Sequence, residues 1–370
     1  MIWLAAPALA AAVYYLLALI EALRWMREHA PVGNSAVWPA ISILKPVHGR
    51  DPGFYEAIRS HAEQDYPEFE MLFGTSDPGD PALADIERLA REFPNRNIRA
   101  IITTPTAPNA KAGTLGELAR LARYPVLLVN DSDIAVEPGY LRAAAAPLED
   151  PGVGIVTALY RARAESRPGR WEALGIATEF APSVLVARLI GVAEFALGST
   201  MAFRAADLER IGGFAAIEHF LADDYQLGLH ISKLGLRVVF TPAVVETSLG
   251  GESWGDAWRH QLRWSRTIRV SRPSGYYGYV VTHATLWALV ALAAGVWKAA
   301  LAALALRLAA GICVGAFLLR DRAVPREAIF IPFRDLWGFA VWVGGLFGNT
   351  VDWRGQRLRL RRDGRIEYLT

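Results

Sequence analysis

Cysteine and lysine are the residues that this chain has least of. Its one cysteine, Cys313, lies in an apolar run of a sequence of 370 residues. A disulfide framework and a cysteine-based metal site are therefore excluded, and a reducing compartment fits. Arginine supplies almost all of the 39 basic residues, a bias that we attribute to the genome rather than to function. The lysines are Lys45, Lys111, Lys233 and Lys298.

The sequence also has no internal repeat, no low-complexity segment and no secretory, zinc-binding or nucleic-acid-binding signature, so we expect no nucleic acid partner. Apolar residues, in contrast, are abundant. The chain is 53% hydrophobic with a mean hydropathy of +0.21, which is too apolar for an ordinary soluble protein. Because 21% of the residues are charged, it is not a purely membrane-embedded protein either. The composition predicts a soluble domain joined to membrane segments.

The first long uncharged run covers residues 2–20 and is closed by Glu21 and Arg24. It is long enough to span a bilayer, and it lacks the basic amino-terminal region and the small-residue cleavage site of a signal peptide. We therefore expect a transmembrane anchor at residues 1–25, with its amino terminus outside and its basic end in the cytoplasm.

Further uncharged runs lie in the last quarter of the chain. Residues 273–297 predict one span, and residues 299–319 predict another that Arg307 interrupts. An arginine at that depth should face protein, water or an anionic lipid group. The next run, 336–351, would form about 24 Å of helix, which is short for a bilayer core of about 30 Å. We expect it to be re-entrant or interfacial, because the arginine-rich tail after it should stay cytoplasmic.

Between the membrane segments, short apolar runs alternate with helical patterns roughly every 25 to 30 residues. This alternation predicts an α/β domain with a mainly parallel sheet and a site at the carboxyl ends of its strands. The expected strands are 41–49 with its closing turn, 69–73, 98–103, 126–129, 154–160 and 237–240. The expected helices are 53–65, 82–93, 114–123, 138–147, 223–233 and 254–268. We expect a surface loop at 161–170 and an interfacial or packed helix at 171–196. The expected domains are the anchor at 1–25, the α/β domain at 38–270, a membrane region at 273–351 and a basic tail at 352–370.

The most informative stretch is the apolar run 126–129 with the residues that follow it. Four consecutive apolar residues predict a buried central strand, and Asp131 and Asp133 lie just beyond its end. Alternation in an extended chain turns both carboxylates to the same side, where they repel unless a divalent cation lies between them. A hard cation held by few protein oxygens has room for nucleotide phosphates, as Mg²⁺ or Mn²⁺ does. The alternative is a solvated turn with an Asx cap.

Several motifs in a fixed order identify a family that this chain resembles. Asp77, Asp131 with Asp133, Asp224 and the pair Arg263-Trp264 resemble the D, DxD, D, (Q/R)xxRW series of glycosyltransferase families 2 and 21, which have the GT-A fold. The resemblance is closest to the ceramide glucosyltransferase family, including its bacterial hopanoid-associated branch. It covers residues 41–361 and is supported by motifs at 45–49, 109–111 and 352–357.

Two positions differ within that family. The last motif opens with His260 in place of glutamine or arginine, as in the hopanoid-associated branch. Asp133 is present, whereas the animal ceramide enzymes lack the final aspartate of the second motif. The resemblance therefore implies a metal-dependent site.

The resemblance also implies roles for the donor-binding residues. Asp131 and Asp133 would hold Mn²⁺ or Mg²⁺ on the diphosphate of a UDP-sugar, with Asp133 as the direct ligand. Asp77 would contact the uridine portion. Lys45 and Lys111 would reach ribose or phosphate, and for each the alternative is a solvated loop lysine.

Asp224 is our candidate for the general base. Its alternative role is to cap the helix that it opens. One base without a second carboxylate nucleophile implies inversion at the anomeric carbon. Arg263 would pair with phosphate, and Trp264 would pack on the sugar, the base or the membrane interface. His260 would contact phosphate or acceptor, and its alternative is a satisfied surface histidine.

The resulting hypothesis is an inverting hexosyltransferase that acts on a lipid hydroxyl at the cytoplasmic leaflet of a bacterial inner membrane. UDP-glucose and ceramide are the expected substrates, and N-acetylglucosamine transfer to a hopanoid polyol is the alternative. Glycosylation of a polyprenyl phosphate would need an anionic-acceptor site, for which Arg307 is a hint. A catalytically inactive nucleotide-sugar binding protein is the alternative of another class. No obligate protein partner is expected.

Overall fold

The computed structural model describes residues 2–28, 38–251 and 253–369 of the chain. Within these residues, three sheets are formed by the strands β1 Ile41–Pro46, β2 Phe69–Thr75, β3 Asn97–Ile102, β4 Val126–Val129, β5 Val153–Thr157, β6 Tyr160–Ala164, β7 Met201–Arg204, β8 Arg237–Phe240, β9 Val245–Leu249, β10 Thr350–Trp353, β11 Gln356–Leu360 and β12 Ile366–Tyr368.

The α-helices are α1 Ile2–Glu28, α2 Phe54–Ala62, α3 Ala82–Glu92, α4 Ala110–Leu121, α5 Tyr140–Ala145, α6 Arg167–Gly175, α7 Ala181–Leu189, α8 Ala205–Arg210, α9 Asp223–Ser232, α10 Trp254–Ser271, α11 Pro273–Gly278, α12 Ala284–Ala293, α13 Trp297–Ile312, α14 Val324–Glu327 and α15 Ile331–Leu346. Single 3₁₀ turns lie at Ala146–Glu149, Phe214–Ala216, Tyr279–Thr282 and Ala328–Phe330, and π-helical turns at Ile176–Phe180 and Cys313–Leu318.

The largest sheet has the order β3-β2-β1-β4-β7-β5-β8. Its first four strands are mutually parallel, β7 is antiparallel to both of its neighbours, and β8 is parallel to β5. The predicted mainly parallel α/β fold is therefore confirmed. β4 is the central strand and is buried throughout, as its four apolar residues predict.

The sheet is covered on both faces, and alternate residues of each strand enter opposite cores. In β4, Val126 and Leu128 pack with α2, α3 and α5, whereas Leu127 and Val129 pack with α4, α8 and α9. This alternation follows from the two-residue period of an extended chain. It also fixes the direction in which the residues beyond β4 leave the sheet.

Apolar helices from the two ends of the chain pack against each other. Helix α1 contacts α7, α12 and α13. In the part of the chain that the structure describes, three helical segments are long and apolar enough to cross a membrane: Ala5–Arg27, Trp297–Leu318 and Val324–Leu346. Membrane-type helices at both ends are therefore confirmed.

The membrane region differs in detail from the prediction. Residues 273–297 do not form one helix, because the chain leaves the helical conformation at His283 and α12 has only 10 residues. The first part of the run 336–351 is the end of a helical segment of 23 residues, Val324–Leu346, so the helix is longer than predicted, whereas the last two residues of the run belong to β10. Arg334 and Asp335, which close the uncharged run in the sequence, lie inside that helix because both are buried and paired with opposite charges.

The segment 161–170 was expected to be a surface loop, and this was wrong. Residues of β6 pair in parallel with β9, and α6 begins at Arg167. Arg161 is held in β6 by an ion pair with Glu246 of β9, with 2.8 Å between Nε and Oε2. The partner strand β9 is distant in the chain, since Glu246 lies 85 positions after Arg161, so no local sequence pattern predicts this pairing. The helix expected at 171–196 is packed against other helices. It is formed by α6, a π-helical turn and α7, and it ends at Leu189.

The arginine-rich tail is folded. Its strands β10, β11 and β12 form an antiparallel sheet, whose apolar residues Leu358, Leu360 and Ile366 are buried against Leu221. The tail therefore packs onto the segment that leads into α9.

Candidate active site

The predicted site residues come from four segments that meet at the carboxyl end of β4. Asp131 and Asp133 follow β4, Lys45 lies near the end of the adjacent β1, and Lys111 is in the first turn of α4. Asp224 is in the first turn of α9. Parallel strands place their carboxyl ends at one edge of a sheet, which is why these residues meet.

Lys111 is the positive centre of this group. Its Nζ lies 2.8 Å from Oδ1 of Asp131 and 3.2 Å from Oδ2 of Asp223, and the side chain is buried. Burial alone would lower the pKa of Lys111, but the charges of Asp131 and Asp223 outweigh it and raise the pKa above its ordinary value. Lys111 is therefore a buried charged group and not a solvated loop lysine.

Asp224 lies beside this ion pair. Its Oδ2 accepts the backbone N–H of Gly198 at 3.0 Å, and its Oδ1 accepts the backbone N–H of Tyr225 at 2.7 Å. The second bond satisfies a free N–H at the helix start, so the capping role is realised in part. Burial, followed by the charge of Asp223, raises the pKa of Asp224 to about 6. A carboxylate with such a pKa is a stronger base than an ordinary aspartate and is still ionised at neutral pH.

Gly198 is the point around which the charged groups converge. A Cβ at this position would lie 3.2 Å from Oδ2 of Asp131, 3.5 Å from Oδ2 of Asp224 and 3.7 Å from Nζ of Lys111. Any side chain here would enter the space between the groups. The glycine therefore gives a ligand access to all of them.

Asp133 and Lys45 complete the group on the side of β1. Asp133 accepts a hydrogen bond from the hydroxyl of Thr247 in β9, and burial and the charge of Asp131 raise its pKa to about 6. Lys45 is fully buried and donates to the backbone oxygen of Asp131 at 3.2 Å. Burial lowers the pKa of Lys45 to about 7, although both aspartates act in the opposite direction.

The acidic pair suits a divalent cation only in part. Among the described residues, no group of three or more histidine, cysteine, aspartate or glutamate side chains is arranged to hold a metal ion. Asp131 and Asp133 offer two neighbouring carboxylates, which are the hard oxygen donors that Mg²⁺ and Mn²⁺ prefer. These residues therefore fit a cation that takes most of its other ligands from a phosphate-bearing substrate and water.

Asp77 is not brought into this group. It is exposed, follows β2 and accepts the backbone N–H of Gly79 at 2.8 Å, so it organises its own turn. Its neighbour Asp80 is buried and fixes the loop after β1 by accepting the N–H of Gly49 at 2.8 Å. The contact of Asp77 with a nucleotide base stays a prediction.

Helix α10 brings Arg263 to the edge of the site. No carboxylate lies within ion-pair distance of Arg263 in the part of the chain that the structure describes. Burial lowers the pKa of its guanidinium to about 10, while the charges of Glu172, Asp131 and Asp224 act against that change. Arg263 is thus a mostly buried cation whose field reaches the aspartates of the site.

His260 and Trp264 lie on the same helix and contact each other, with ring centroids 4.7 Å apart. Nδ1 of His260 lies 2.6 Å from Oε1 of Glu172, which is buried in α6. His260 is therefore a paired, partly buried residue rather than a plain surface histidine. Trp264 packs on Phe180, which joins α10 to the π-helical turn after α6.

The sequence did not single out several residues that shape the site: Glu172, Gly198, Thr247 and Tyr160. Tyr160 packs on Phe180, and burial, followed by the charges of Asp224 and Glu172, raises its pKa well above the ordinary value. Each of these residues belongs to a segment far in sequence from the motifs that it contacts.

Known proteins resemble this chain in both sequence and fold. "Ceramide glucosyltransferase 1" of Caenorhabditis elegans is 27% identical over 218 residues, which are 58% of this chain and 47% of that protein. "Ceramide glucosyltransferase 3" of the same organism is 26% identical over 228 residues, or 60% of this chain and 49% of that protein. The matched region thus spans about half the length of these curated relatives.

A mannosyltransferase from Pyrobaculum calidifontis, solved in complex with GDP-Man and Mn²⁺, has a similar fold. The TM-score is 0.55 at 20% identity, and the match covers 93% of this chain and 97% of that one. The family model of glycosyl transferase family 21 matches residues 3–366, which is nearly the whole sequence. The chain therefore belongs to glycosyl transferase family 21.

Proposed function

We propose that this protein transfers a hexosyl group from a UDP-sugar to a lipid hydroxyl, with inversion at the anomeric carbon. The observation that carries the proposal is the convergence of Lys111, Asp131 and Asp224 around Gly198 at the carboxyl end of β4. Such an edge of a parallel sheet is where α/β proteins bind nucleotides. The family membership of the chain supports the same class of reaction.

The donor diphosphate would lie between the acidic pair and the basic residues at the rim. Mn²⁺ or Mg²⁺ held by Asp131 and Asp133 would supply Lewis-acid neutralisation of the departing diphosphate. Lys111 holds Asp131 in place, and Arg263 offers an unpaired guanidinium that matches phosphate geometry.

Asp224 would take the proton of the acceptor hydroxyl. Its pKa of about 6 keeps it ionised at neutral pH and makes it a better proton acceptor than a solvated aspartate. The neighbouring Asp223 is held by Lys111 and is not free to act as a nucleophile. One base without a second carboxylate that acts as a nucleophile favours direct displacement, so an α-linked donor gives a β-glycoside.

The contacts of α10 support a lipid acceptor. Oε1 of Gln261 accepts hydrogen bonds from Arg334 at 3.1 Å and from Nε1 of Trp337 at 2.8 Å. Both donors lie in Val324–Leu346, one of the helical segments that are long enough to span a membrane. The helix that carries Arg263 is thus joined directly to a membrane-type helix. We place the α/β domain on the cytoplasmic side of a bacterial inner membrane, as the basic tail suggests.

UDP-glucose and ceramide are the substrates that we propose, because the curated relatives are ceramide glucosyltransferases. A second candidate is N-acetylglucosamine transfer to a hopanoid polyol. The observation that favours it is His260, which stands where the ceramide enzymes' motif has glutamine or arginine and which is fixed by Glu172.

The test uses the purified full chain in nanodiscs with Mn²⁺. UDP-glucose and UDP-N-acetylglucosamine are each offered with ceramide and with bacteriohopanepolyol, and the lipid products are identified by mass spectrometry and NMR. We expect β-glucosylceramide as the main product, and its loss on chelation by EDTA. Product from the hopanoid with N-acetylglucosamine alone would select the second candidate. Tight binding of UDP without any transfer would reject both candidates in favour of a catalytically inactive binding protein.

A further inference from the structure

The turn between β10 and β11 has an unusual residue for its shape. Arg354 and Gly355 are its two central residues, with φ of 50° and 76°. Positive φ at both positions is the mark of a type I′ turn, in which asparagine and glycine are favoured. Arginine adopts this left-handed conformation at an energetic cost, and residues held in this way concentrate at functional sites. The positive φ of Arg354 therefore indicates that its side chain has a function.

Strand β10 runs along α10 in the opposite direction and carries this turn towards Arg263. Arg269 of α10 donates to the backbone oxygen of Gly348, whereas Arg266, one turn earlier in the helix, donates to that of Thr350 at 2.5 Å. Continuing the same register moves the chain from Thr350 towards the preceding turns of α10. The positive charge of Arg354 accordingly contributes to lowering the pKa of Arg263, although burial is the main cause.

The small sheet is fixed to the segments that deliver the site residues. The N–H of Ile366 donates to the backbone oxygen of His219 at 2.8 Å, in the segment that leads into Asp223 and Asp224. The hydroxyl of Tyr368 donates to the backbone oxygen of Pro108 at 2.7 Å, three positions before Lys111. These hydrogen bonds attach the small sheet, and with it the β10–β11 turn, to the segments that carry the site residues.

Neither arginine forms an ion pair with a carboxylate of the described residues. The contact recorded for the guanidinium of Arg354 is the ring of Trp353, 5.5 Å from its centroid, and the side chain is exposed. Within the described residues, no acid pairs with Arg354 or Arg263. The positive charge of Arg354 acts unfavourably on that of Arg263, and an anion bound between the two would remove this repulsion. Arginine matches phosphate oxygens with two parallel hydrogen bonds.

We propose that Arg354 is a donor-binding residue, which together with Arg263 holds the diphosphate of the nucleotide on the side opposite the aspartates. The proposal rests on the proposed function for the identity of the nucleotide. It gives the carboxyl-terminal sheet a role in substrate binding, as a wall of the site that the α/β domain alone lacks. Since the diphosphate is the group recognised, the contribution of Arg354 belongs to UDP and is absent for uridine.

The test compares Arg354→Gln with Arg362→Gln in the full chain. Arg362 is an exposed arginine at the other hairpin turn of the same sheet, so it controls for the loss of one positive charge. Binding of UDP, GDP and uridine in the presence of Mn²⁺ is measured by calorimetry. We expect Arg354→Gln to weaken UDP binding by about tenfold or more, which is the usual effect of losing one charge-assisted contact. Uridine binding and the Arg362→Gln variant should match the wild type.

Arg354→Gly separates ligand binding from folding. Glycine adopts positive φ without strain, so this variant should be at least as stable as the wild type while it loses the same UDP affinity. Equal UDP affinity in Arg354→Gln and Arg362→Gln would overturn the inference, as would a loss that affects uridine equally. A loss seen only in binding to anionic lipid vesicles would also overturn it.

The proposed function and this inference fail in different ways. Selective loss of UDP affinity in Arg354→Gln, in a protein that glycosylates no lipid, would keep the inference and reject the acceptor. Lipid glycosylation that is unaffected by Arg354→Gln would support the proposed function and reject the role of Arg354 in donor binding. Failure of the wild-type chain to bind either nucleoside diphosphate would overturn both.

Discussion

Two groups of buried charges lie in different parts of this protein, and only one of them is balanced. Between the membrane-type helices, Arg307 is fully buried, with Nη2 at 2.7 Å from Oδ1 of Asp335 and Nη1 donating to the backbone oxygen of Thr178 at 2.8 Å. The other oxygen of Asp335 accepts the hydroxyl of Thr285 at 2.8 Å. Arg307 thus faces protein, and its charge is paired with that of Asp335.

At the carboxyl end of β4 the charges do not balance. Lys111 is paired with both Asp131 and Asp223, and the buried Lys45 donates to the backbone oxygen of Asp131, while Asp224 lies next to them and Asp133 beyond. The helical group satisfies its charges internally and acts as structure. The sheet-edge group keeps an excess of carboxylates with raised pKa values, as groups that bind cations or transfer protons do. The difference predicts that substitutions in the two regions will affect different properties.

Loss of the base should have the largest effect. Asp224→Asn keeps the size of the side chain but removes the proton acceptor, so we expect transfer to fall on the order of a thousandfold. UDP affinity should stay within about threefold, because the diphosphate contacts are made by other residues. Single-turnover assays and calorimetry measure the two quantities. Unchanged transfer by this variant would remove Asp224 from the base role.

Breaking the ion pair between Arg307 and Asp335 should lower the stability of the protein and should not affect the transfer reaction directly. Asp335→Asn leaves the buried guanidinium of Arg307 without its counter-charge, and we expect a loss of about 3 to 5 kcal/mol. Breaking the exposed pair Arg361–Glu367 by Arg361→Gln should cost less than about 1 kcal/mol. Unfolding in detergent gives both values. A similar small effect for both variants would mean that the ion pair between Arg307 and Asp335 does not stabilise the fold.

Filling the space at Gly198 should have a smaller effect on the rate. In Gly198→Ala, the new methyl group lies 3.2 Å from Oδ2 of Asp131, so the carboxylate must shift by a few tenths of an ångström. We expect kcat to fall by about tenfold with little change in folding stability. The matched control is Gly278→Ala, because Gly278 also lacks a positive φ and no heavy atom lies within 4 Å of an added Cβ there. Wild-type kcat in Gly198→Ala would contradict the convergence at this position.

The pH dependence should be the mildest of these effects. Asp224 must be ionised to accept a proton, so the rate should be half-maximal near pH 6 and fall as the pH drops below it. Because the folded-state pKa is raised from 3.8, ionised Asp224 destabilises the fold above pH 6, and this cost vanishes below about pH 4. Asp224→Asn should therefore be more stable than the wild type at pH 7 but not at pH 4. A rate that is flat from pH 5 to pH 7 would exclude Asp224 as the titrating base.

The part of the fold that sequence reasoning predicted is the part that local patterns determine. β4 and the aspartates after it could be predicted because four apolar residues followed by carboxylates form a local signal. The contacts of Gly198 with Asp224, and of Thr247 with Asp133, join segments that are distant in the chain, so no spacing rule predicts them. The helix that includes Arg334 was missed because burial with an opposite charge allows a charged residue inside an apolar helix.

We propose that the carboxylates at the end of β4 and the arginines of α10 and the β10–β11 turn enclose one nucleoside diphosphate. The most direct measurement is a structure of the full chain with UDP and Mn²⁺, in which the metal is located by anomalous scattering. We predict the Mn²⁺ peak at about 2.0 to 2.6 Å from a carboxylate oxygen of Asp131 or Asp133, with Arg263 and Arg354 on the diphosphate. A diphosphate bound away from Gly198, or a metal ion held by other residues, would contradict the account.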